Sequence, residues 1–267
     1  MTTSPSLGTA LITGASSGIG AVYADRLAKR GHDLILVARN KARLDTLAQR
    51  LSSETGRKVT VLAADLNVRA DLLHVEALLR DDKAITMLVN NAGVASASAL
   101  LEADIEKMES MIDLNVTALT RLAYAAVPGF VARGRGTIIN ISSIVAIAPE
   151  ILNGVYGASK AYVSALTQSL QHEVAAKGVR VQAVLPGATA TELWGNAGID
   201  ISGLPEGMVM TTEDMVDAAL AGLDMGEVMT IPPLQDKAEW DAYEAARQVM
   251  MPKLSVSTPA PRYGVKK

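Results

Sequence analysis

The most constraining feature of this 267-residue sequence is a regular alternation of two kinds of segment. Short, nearly continuous apolar runs are bounded by Gly, Asp or Asn, and longer stretches with helical periodicity separate them. Fully buried parallel strands have this appearance, because helices cover both faces of their sheet. The predicted strands are residues 9–13, 33–38, 58–63, 86–90, 136–141, 179–185 and 227–231. The predicted helices are residues 18–30, 41–55, 69–82, 105–131, 156–177, 212–225 and 236–250.

This alternation predicts an α/β fold, a doubly wound parallel sheet of about seven strands with helices on both faces, known as the Rossmann fold. It continues to about residue 250 without a linker or an internal repeat, so we expect a single domain over residues 1–267. Two regions depart from it. Residues 191–210 are rich in Gly and Met, and we expect an irregular lid there. Residues 252–267 contain three prolines, and we expect an extended C-terminal tail.

Composition excludes several classes of function. The absence of cysteine excludes disulfides, cysteine-ligated metal sites and thiol catalysis, and it is compatible with a reducing compartment. A net charge of -3 gives no indication of a nucleic-acid surface. No apolar stretch is long enough to span a membrane, and residues 1–8 lack the pattern of a signal peptide, so we expect a cytoplasmic protein. The three histidines have no second ligand at metal spacing, and no metal site is predicted.

The first turn from strand to helix has the sequence Thr13-Gly14-Ala15-Ser16-Ser17-Gly18-Ile19-Gly20. Glycines at this place allow a tight turn, a close approach of the backbone to a pyrophosphate, and close packing of helix on strand. The helix N-terminus adds free N–H groups and a partial positive charge. The pattern predicts a dinucleotide site, with a purely structural turn as the alternative. The predicted cofactor-binding residues of this turn are Gly14, Ser16, Ser17, Gly18, Ile19 and Gly20.

Arg39 follows the second predicted strand, 19 residues after Gly20. Near this distance, dinucleotide folds place an acid for the ribose 2′-hydroxyl of NAD or an arginine for the 2′-phosphate of NADP. Ala38 offers no acid, whereas Arg39 offers a planar cation suited to phosphate, and Arg43 lies one helical turn beyond. We therefore predict NADP (NADPH) as the cofactor in preference to NAD. The alternative is that Arg39 is a solvated surface residue.

Further motifs together resemble the short-chain dehydrogenase/reductase (SDR) superfamily, in its single-domain, NADP-preferring type. They are the glycine pattern, Asn90-Asn91-Ala92-Gly93, Asn115, Ser143 and Tyr156-Gly157-Ala158-Ser159-Lys160. The motifs cover roughly residues 8–191, and the order of strands and helices extends the resemblance to about residue 250. Asp65, after the third strand, is placed to meet an adenine edge or to cap the next helix. The other cofactor contacts expected are Leu66, Asn91, Ala92, Gly93, Tyr156, Lys160, Pro186, Gly187, Thr189 and Thr191.

Tyr156 and Lys160 are four residues apart, which on a helix places them on one face. A nearby ammonium lowers the pKa of a tyrosine from its usual value near 10 and makes it a usable general acid or base. The resemblance implies that Lys160 also holds the nicotinamide ribose and that Ser143 hydrogen-bonds the substrate oxygen. It implies that Asn115 holds a proton-relay water through a local helix distortion. Ser142 competes with Ser143, although its spacing from Tyr156 is less favourable.

The resemblance and the residues together predict an oxidoreductase that transfers a hydride between NADP(H) and a carbonyl or secondary alcohol. Tyr156 is its predicted general acid or base, and Asn115, Ser143 and Lys160 are the other catalytic candidates. A non-catalytic NADP-binding sensor on the same fold is the alternative, and a methyltransferase on a similar sheet is a third. The complete set of four residues argues against a sensor. A methyltransferase usually has an acid where Arg39 stands, and it has no need of the Tyr156–Lys160 pair.

The predicted lid carries the apolar residues Leu193, Trp194, Met208 and Met210. These suit a hydrophobic small-molecule substrate, because methionine adapts to varied shapes. Covering the core or an interface is an equally good interpretation of them. Thr189 and Ala146 depart from residues common in the superfamily, which leaves the substrate's shape open. The resemblance also implies a homodimer or homotetramer assembled through the predicted helices 105–131 and 156–177.

Overall fold

A seven-stranded parallel sheet forms the centre of the computed structural model, which describes residues 6–265 apart from the side chains of Asn196 and Ser202. The strands are β1 (Thr9–Thr13), β2 (Asp33–Ala38), β3 (Val59–Ala63), β4 (Ile85–Asn90), β5 (Gly136–Ile141), β6 (Val179–Val184) and β7 (Met229–Thr230). Their order across the sheet is β3-β2-β1-β4-β5-β6-β7, and every neighbouring pair is parallel. The predicted doubly wound α/β fold is confirmed.

Helices connect the strands, and most begin and end close to the predicted positions. They are α1 (Gly18–Lys29), α2 (Lys41–Thr55), α3 (Arg69–Asp81), α4 (Ile105–Ile112), α5 (Leu119–Ala132), α6 (Gly154–Val174), α7 (Glu192–Asn196), α8 (Thr212–Asp224) and α9 (Lys237–Met250). A π-helical segment, Asp113–Ala118, lies between α4 and α5. Short 3-10 turns follow β5, at Ile144–Ala146 and Pro149–Ile151.

Each face of the sheet has its own apolar core. On one face, α1, α2 and α8 contribute buried residues such as Tyr23, Leu44 and Leu220. On the other face, residues of α3, α5 and α6 pack together, Phe130 among them. Successive residues of a strand alternate between these cores, because side chains on a strand point to opposite faces. This two-sided burial explains the continuous apolar runs in the sequence.

The predicted helix 105–131 was wrong in one respect, because it is not a continuous α-helix. α4 ends at Ile112, and the π-helical segment shifts the helical register before α5 begins. The side-chain amide of Asn115, inside this segment, hydrogen-bonds the backbone of Val94. Helical periodicity does not report such a contact with a distant loop, and the sign of an interruption was the local helix distortion at Asn115 that the family resemblance implied.

The predicted strand 227–231 is also shorter in the structure, where β7 contains two residues. Only Met229 and Thr230 pair with β6. Gly226, directly before the predicted strand, has a φ of +81°, in the left-handed region. The chain therefore leaves α8 through a turn, and the extended segment begins later than predicted.

The chain divides into two compact units, with the boundary between Pro233 and Leu234. The first unit contains the whole sheet. The second contains α9, in which every residue is at least partly exposed, and 3-10 turns at Met251–Lys253 and Pro261–Tyr263. A single domain over residues 1–267 and an extended tail over 252–267 remain predictions. These predictions, and the expectation about a signal peptide, extend to residues 1–5 and 266–267. Those residues lie outside the part of the chain that the structure describes. Within residues 6–265, no helix is both long and apolar enough to cross a membrane.

Buried Asp25 links α1 to its neighbouring helices. Its carboxylate accepts hydrogen bonds from Arg26 and Lys29 of α1, both at 2.8 Å, and from Arg50 of α2 at 3.1 Å. Arg26 in turn binds both carboxylate oxygens of Asp217 in α8. Burial alone raises the pKa of the Asp25 carboxyl, but the bonds from these three cations outweigh it and hold the pKa below its usual value.

We expect Asp25→Asn to lower the free energy of unfolding at pH 7 by about 1–3 kcal/mol, because charge-assisted hydrogen bonds are lost. A carboxyl with a depressed folded pKa contributes stability above its unfolded pKa, and this is lost as the pH falls through the folded pKa. The difference between wild type and variant, measured by urea unfolding, should therefore shrink below about pH 4. Asp217→Asn, which removes an exposed carboxylate, should cost less than about 1 kcal/mol. Equal losses from both variants would contradict this account.

Candidate active site

The predicted site residues converge where the strand order reverses, at the carboxyl ends of the central strands. The glycine turn follows β1, residues 91–93 follow β4, Ser143 follows β5, and Pro186 follows β6. β1 and β4 are neighbours in the sheet although they are not consecutive in the chain. In open parallel sheets, this reversal opens a crevice in which ligands bind.

The glycine turn leaves no room for side chains on its inner surface. Gly14 has a φ of +65°, and a Cβ there would lie 2.8 Å from Asn91 Nδ2 and 2.9 Å from Ala92 Cα. Asn91 Nδ2 donates to the carbonyls of Thr13 at 2.9 Å and Gly14 at 3.1 Å. The side-chain amide of Asn91, predicted to contact the cofactor, is therefore engaged in supporting the turn. The turn offers a bare backbone and the N-terminus of α1, at which the Ser17 side chain forms no capping hydrogen bond.

Tyr156 lies in the first turn of α6, and Asn153 caps this helix. Asn153 Oδ1 accepts hydrogen bonds from the backbone N–H groups of Val155 at 2.8 Å and Tyr156 at 3.4 Å. Its Nδ2 donates to the carbonyl of Ser98, in the loop after β4. The sequence prediction began this helix at Tyr156 and missed Asn153, although an asparagine just before a helical stretch is a typical N-cap.

The Tyr156 side chain is buried in a small apolar cluster with Met108, Met111 and Val145. Burial raises the pKa of Tyr156 to about 12, although a hydrogen bond with the Ser143 side chain opposes the rise. From the spacing of the two residues, the Lys160 ammonium is expected to lower this pKa. That expectation was wrong for this structure, because removal of the phenol from water outweighs the effect of its neighbours. Tyr156 is therefore a neutral hydroxyl at pH 7.

Lys160 reaches from α6 to the end of β5, where its Nζ donates to the carbonyl of Ile141 at 2.9 Å. The same Nζ lies 5.7 Å from the centroid of the Tyr156 ring. Burial lowers the pKa of Lys160 to about 8. Gly93 lies alongside, since a Cβ there would be 3.6 Å from Nζ and 3.0 Å from Asn115 Oδ1. The predicted Tyr156–Lys160 pair is thus brought together, next to the predicted Gly93.

The two adjacent serines after β5 have different surroundings. Ser142 Oγ donates to the carbonyl of Lys160 at 2.8 Å and shares a hydrogen bond with Ser164 Oγ at 2.9 Å. Ser143 Oγ accepts a hydrogen bond from the Val145 N–H at 3.3 Å and interacts with Tyr156. Ser142 is committed to the backbone of α6, so Ser143 is the hydroxyl that remains beside Tyr156.

Asn115 connects the loop after β4 to the tyrosine helix. Its amide bonds both backbone groups of Val94, accepting from the N–H at 3.0 Å and donating to the carbonyl at 2.9 Å. Nδ2 also lies 3.2 Å from Ser159 Oγ, which donates to the Tyr156 carbonyl at 2.8 Å. Ser159 therefore links Asn115 to Tyr156. The motif in the sequence contains Ser159 but gives no sign of this link.

The two arginines predicted to read a 2′-phosphate differ in their contacts. Arg39 directly follows β2 and is exposed, and within residues 6–265 its side chain makes no hydrogen bond or ion pair. Arg43 lies in the first turn of α2 and lines a cavity of about 380 Å³ next to the glycine turn. The residues lining this cavity are Ser16, Ala42, Arg43, Thr46, Leu47 and Arg50. Arg43 also forms an ion pair with Glu192 at 2.7 Å.

Asp65 forms a turn with its own chain. Its Oδ1 accepts from the N–H of Asn67 at 3.0 Å, two residues before α3 begins at Arg69. The alternative that Asp65 caps the next helix is wrong, because the N-cap of α3 is Val68, without a side-chain hydrogen bond. The neighbouring Leu66 is buried.

The segment after β6 crosses back over the site. The carbonyl of Pro186 accepts from the N–H of Ile144, next to Ser143, at 3.0 Å. Thr189 is buried and forms an isolated parallel bridge with Met210, which closes the base of the predicted lid. The lid is not wholly irregular, since it contains α7 and a 3-10 turn at Ile201–Gly203. Across the described part of the chain, no group of three or more His, Asp or Glu side chains is arranged to hold a metal ion.

A comparison with protein families decides the membership of the chain. The short chain dehydrogenase family matches residues 8–201, which include the glycine turn, Asn115, Ser143, Tyr156 and Lys160. The chain belongs to the short chain dehydrogenase family. This is a family of oxidoreductases, and the resemblance noted from the motifs is thereby confirmed.

Several relatives within this family are similar over most of their length. A short-chain dehydrogenase from Sphingobium yanoikuyae, solved in complex with NADPH, is 54% identical, with a TM-score of 0.92 over 95% of this chain and 98% of its own. The bulky-bulky ketone specific alcohol dehydrogenase from Comamonas testosteroni is 46% identical, with a TM-score of 0.88 over 96% and 98%. The 17-beta-hydroxysteroid dehydrogenase type 3 of Danio rerio is 34% identical over 82% of this chain and 70% of its own.

The residues of this short-chain dehydrogenase fit a nicotinamide dinucleotide. The glycine turn packs so closely on residues 91–92 that a Cβ at Gly14 would collide with them, and it ends at the N-terminus of α1, where the Ser17 side chain leaves the backbone N–H groups uncapped. A lysine ammonium has three N–H donors, and the only acceptor for Lys160 in the described residues is the Ile141 carbonyl. Two buried donors thus remain for oxygen atoms of a ligand, next to the glycine at position 93. Ribose hydroxyls supply oxygen acceptors of this kind.

We expect Asn153→Ala to lower the free energy of unfolding by about 1–2 kcal/mol, because the cap of the tyrosine helix is lost. Asn153→Asp keeps the capping oxygen and loses only the donor to Ser98, so its loss should be smaller. Urea unfolding measures both losses, and hydrogen exchange at the Val155 and Tyr156 amides should accelerate in the alanine variant alone. If the aspartate variant lost as much as the alanine variant, the tie to Ser98 and not the cap would hold the tyrosine in place.

Proposed function

We propose that the protein is an NADP-dependent carbonyl reductase or alcohol dehydrogenase, in which Tyr156 moves the proton at the substrate oxygen. The observation that carries the proposal is the buried constellation of Ser143, Tyr156 and Lys160 beside a bare glycine turn. A bound nicotinamide would supply or accept the hydride. A non-catalytic sensor has no need for this constellation, and nothing in the described site favours it.

The protonation state of Tyr156 suits carbonyl reduction. A tyrosine with a pKa of about 12 is protonated at neutral pH and donates a proton to an oxygen on which negative charge develops. Ser143, whose hydroxyl lies beside Tyr156, would orient the same oxygen. In the direction of alcohol oxidation, Tyr156 must first lose its proton, so that direction should be favoured at high pH.

Lys160 and Asn115 position the other parts of the site. Lys160, fixed by the Ile141 carbonyl, would hold the hydroxyls of the nicotinamide ribose with its two remaining donors and keep a positive charge near Tyr156. Asn115 holds Val94 and, through Ser159, the backbone of Tyr156. This is a positioning role. The proton-relay water expected from the family resemblance stays a prediction.

The choice of NADP rests on positive charge at the carboxyl end of β2. Arg39 and Arg43 both lie there, and Arg43 shares a cavity with Ser16 of the glycine turn. Guanidinium groups and a hydroxyl are suited to a phosphate dianion. The NADPH found with the Sphingobium relative supports the same choice.

The cytoplasmic location expected from the sequence stays a prediction.

We propose an apolar substrate. Exposed aliphatic side chains stand on the loops that follow β4 and β5 and on the lid, namely Val94, Ile147, Ile151 and Met208. Together with the apolar cluster around Tyr156, they favour a ketone or secondary alcohol with apolar substituents. The ketone specificity named for the Comamonas relative agrees with this class.

We further propose a homodimer or homotetramer built through α5 and α6. Tyr124 of α5 is 64% exposed and Tyr162 of α6 is 39% exposed, and large aromatic residues are enriched at protein interfaces. Light scattering coupled to size exclusion should give two or four chains at micromolar concentration. Tyr124→Glu should shift the protein toward smaller species without lowering its stability. A monomeric wild type would contradict the proposal.

Tyr156→Phe removes only the hydroxyl oxygen, and it should lower kcat by a factor of about 10²–10⁴, the usual contribution of a general acid. The dissociation constant for NADPH should change by less than about threefold, because the phenol moves a proton and the glycine turn binds the dinucleotide. The assay follows NADPH oxidation with the best substrate from a panel of aryl alkyl ketones. A variant that keeps more than about a tenth of wild-type kcat would contradict the role of Tyr156.

The adjacent serines form a matched pair of variants. Ser143→Ala should lower kcat by a factor of about 10–10³, because a donor to the reacting oxygen is lost. Ser142→Ala loses hydrogen bonds to α6, so it should cost about 1 kcal/mol of unfolding free energy and change kcat by less than about threefold. The assignment of Ser143 is wrong if the two variants have the same kcat.

Lys160 predicts a pH dependence of cofactor binding. With a pKa of about 8, the side chain is charged below that pH and neutral above it. NADPH should therefore bind about fivefold more weakly at pH 9.5 than at pH 7, because charge-assisted hydrogen bonds are roughly twice as strong as neutral ones. Lys160→Arg stays charged and should show no such decline below pH 10. A wild-type affinity that is flat from pH 7 to pH 10 would contradict the role given to this ammonium.

A further inference from the structure

The segment that leads from β6 into the lid lies directly over the glycine turn. The methyl carbon of Thr191 is 3.2 Å from the position that a Cβ on Gly18 would occupy. Glu192 follows as the first residue of α7, and its Oε2 accepts a hydrogen bond from Arg43 Nη1 at 2.7 Å. We call residues 187–192 the strap. The strap thus contacts the start of α1 and the start of α2.

The Arg43–Glu192 ion pair spans the crevice. Arg43 follows β2 and Glu192 follows β6, and β1, β4 and β5 lie between these two strands in the sheet. Four steps between neighbouring strands amount to about 19 Å at ~4.8 Å each. The strands crossed carry the glycine turn, residues 91–93 and Ser143 at their carboxyl ends. A ligand on the glycine turn would therefore lie beneath the strap.

The other end of the strap is fixed by backbone hydrogen bonds. The N–H of Ala190 donates to the Met210 carbonyl, and the N–H of Met210 donates to the Ala188 carbonyl, both at 2.9 Å. Trp194 Nε1 donates to the Thr189 carbonyl at 2.7 Å, which holds α7 against the strap. The strap is thus anchored to the lid base at one side, and on the opposite wall it contacts Gly18 through Thr191 and Arg43 through the ion pair.

The ion pair is suited to opening and closing. The side chains of Arg43 and Glu192 are 50% and 57% exposed. Exposed ion pairs of this kind change an equilibrium by a factor of about 1.4 to 5, so the pair can break without loss of the fold. Arg43 has five N–H donors, and its pair with Glu192 uses one of them, so the guanidinium can hold the strap and a phosphate together.

We propose that the Arg43–Glu192 ion pair is a latch that holds the strap over a bound dinucleotide, and that Glu192 is thereby a positioning residue that slows cofactor release. The inference rests on the proposed NADP-binding function. The latch joins two parts of the protein and makes no use of the 2′-phosphate. It therefore acts on NADPH and NADH by the same factor, unlike a residue that reads the phosphate.

Stopped-flow displacement, followed by the fluorescence of the reduced nicotinamide, tests the latch. Glu192→Gln should accelerate release of both NADPH and NADH by about twofold to fivefold. Arg43→Gln should accelerate NADH release by the same factor, and the double variant should release NADH no faster than either single variant. The exchanged pair, R43E with E192R, should restore NADH release to within about twofold of wild type.

A control variant in the same helix separates the latch from a general effect of charge. Asp45→Asn breaks the exposed Lys41–Asp45 pair of α2, which is also 2.7 Å long, and it should leave both release rates unchanged. Hydrogen exchange of the strap amides, measured without cofactor, should be faster in Glu192→Gln and unchanged in Asp45→Asn.

Different failures of this experiment have different meanings. Unchanged release from Glu192→Gln, or additive effects in the double variant, would overturn the latch and leave the proposed function standing. Slower release of NADPH alone would also overturn it, since Glu192 would then compete with the 2′-phosphate for Arg43. If wild type bound neither dinucleotide, the proposed function would fail, and the latch would fail with it.

Discussion

The buried ammonium of Lys160 is the group on which the rest of the site depends. Charge is expensive to remove from water, and the lowered pKa of this lysine reflects that cost. The structure compensates with one acceptor, the last carbonyl of β5. The strand end therefore fixes where the ammonium lies, and the ammonium lies beside the Tyr156 ring. Its two remaining donors make a ligand with hydroxyl oxygens the natural complement of the site.

Three asparagines hold the loops around this ammonium in place. Asn91 bonds the glycine turn, Asn115 bonds the backbone of Val94, and Asn153 bonds both the start of α6 and the loop after β4. Each side-chain amide offers a donor and an acceptor, so it satisfies loop backbone groups that have no partner in a strand or helix. The loops around Tyr156 and Lys160 are thereby fixed by hydrogen bonds as well as by apolar packing.

Much of the fold could be predicted because fully buried strands and capped helices have local signals. β1, β2 and β5 coincide residue for residue with the predicted segments. The features that could not be predicted depend on distant partners. A distortion at Asn115 was expected from the family resemblance, but its partner, the backbone of Val94, lies 21 positions away, and Arg43 meets Glu192 across 149 positions of the chain. The spacing of Tyr156 and Lys160 predicted their proximity, but the pKa of Tyr156 follows from burial by Met108, Met111 and Val145, which that spacing does not reveal.

Parallel titrations of the purified protein with NADPH and NADH, with the fluorescence of the reduced nicotinamide as the signal, test whether the glycine turn and Lys160 bind a dinucleotide. The account predicts saturable binding of both, with NADPH bound about tenfold to a hundredfold more tightly, since Arg39 and Arg43 add charge-assisted bonds to the 2′-phosphate. Equal affinities would remove the arginines from cofactor selection and leave the Tyr156 chemistry intact. Binding of neither would contradict the central claim that the glycine turn and Lys160 form a dinucleotide site.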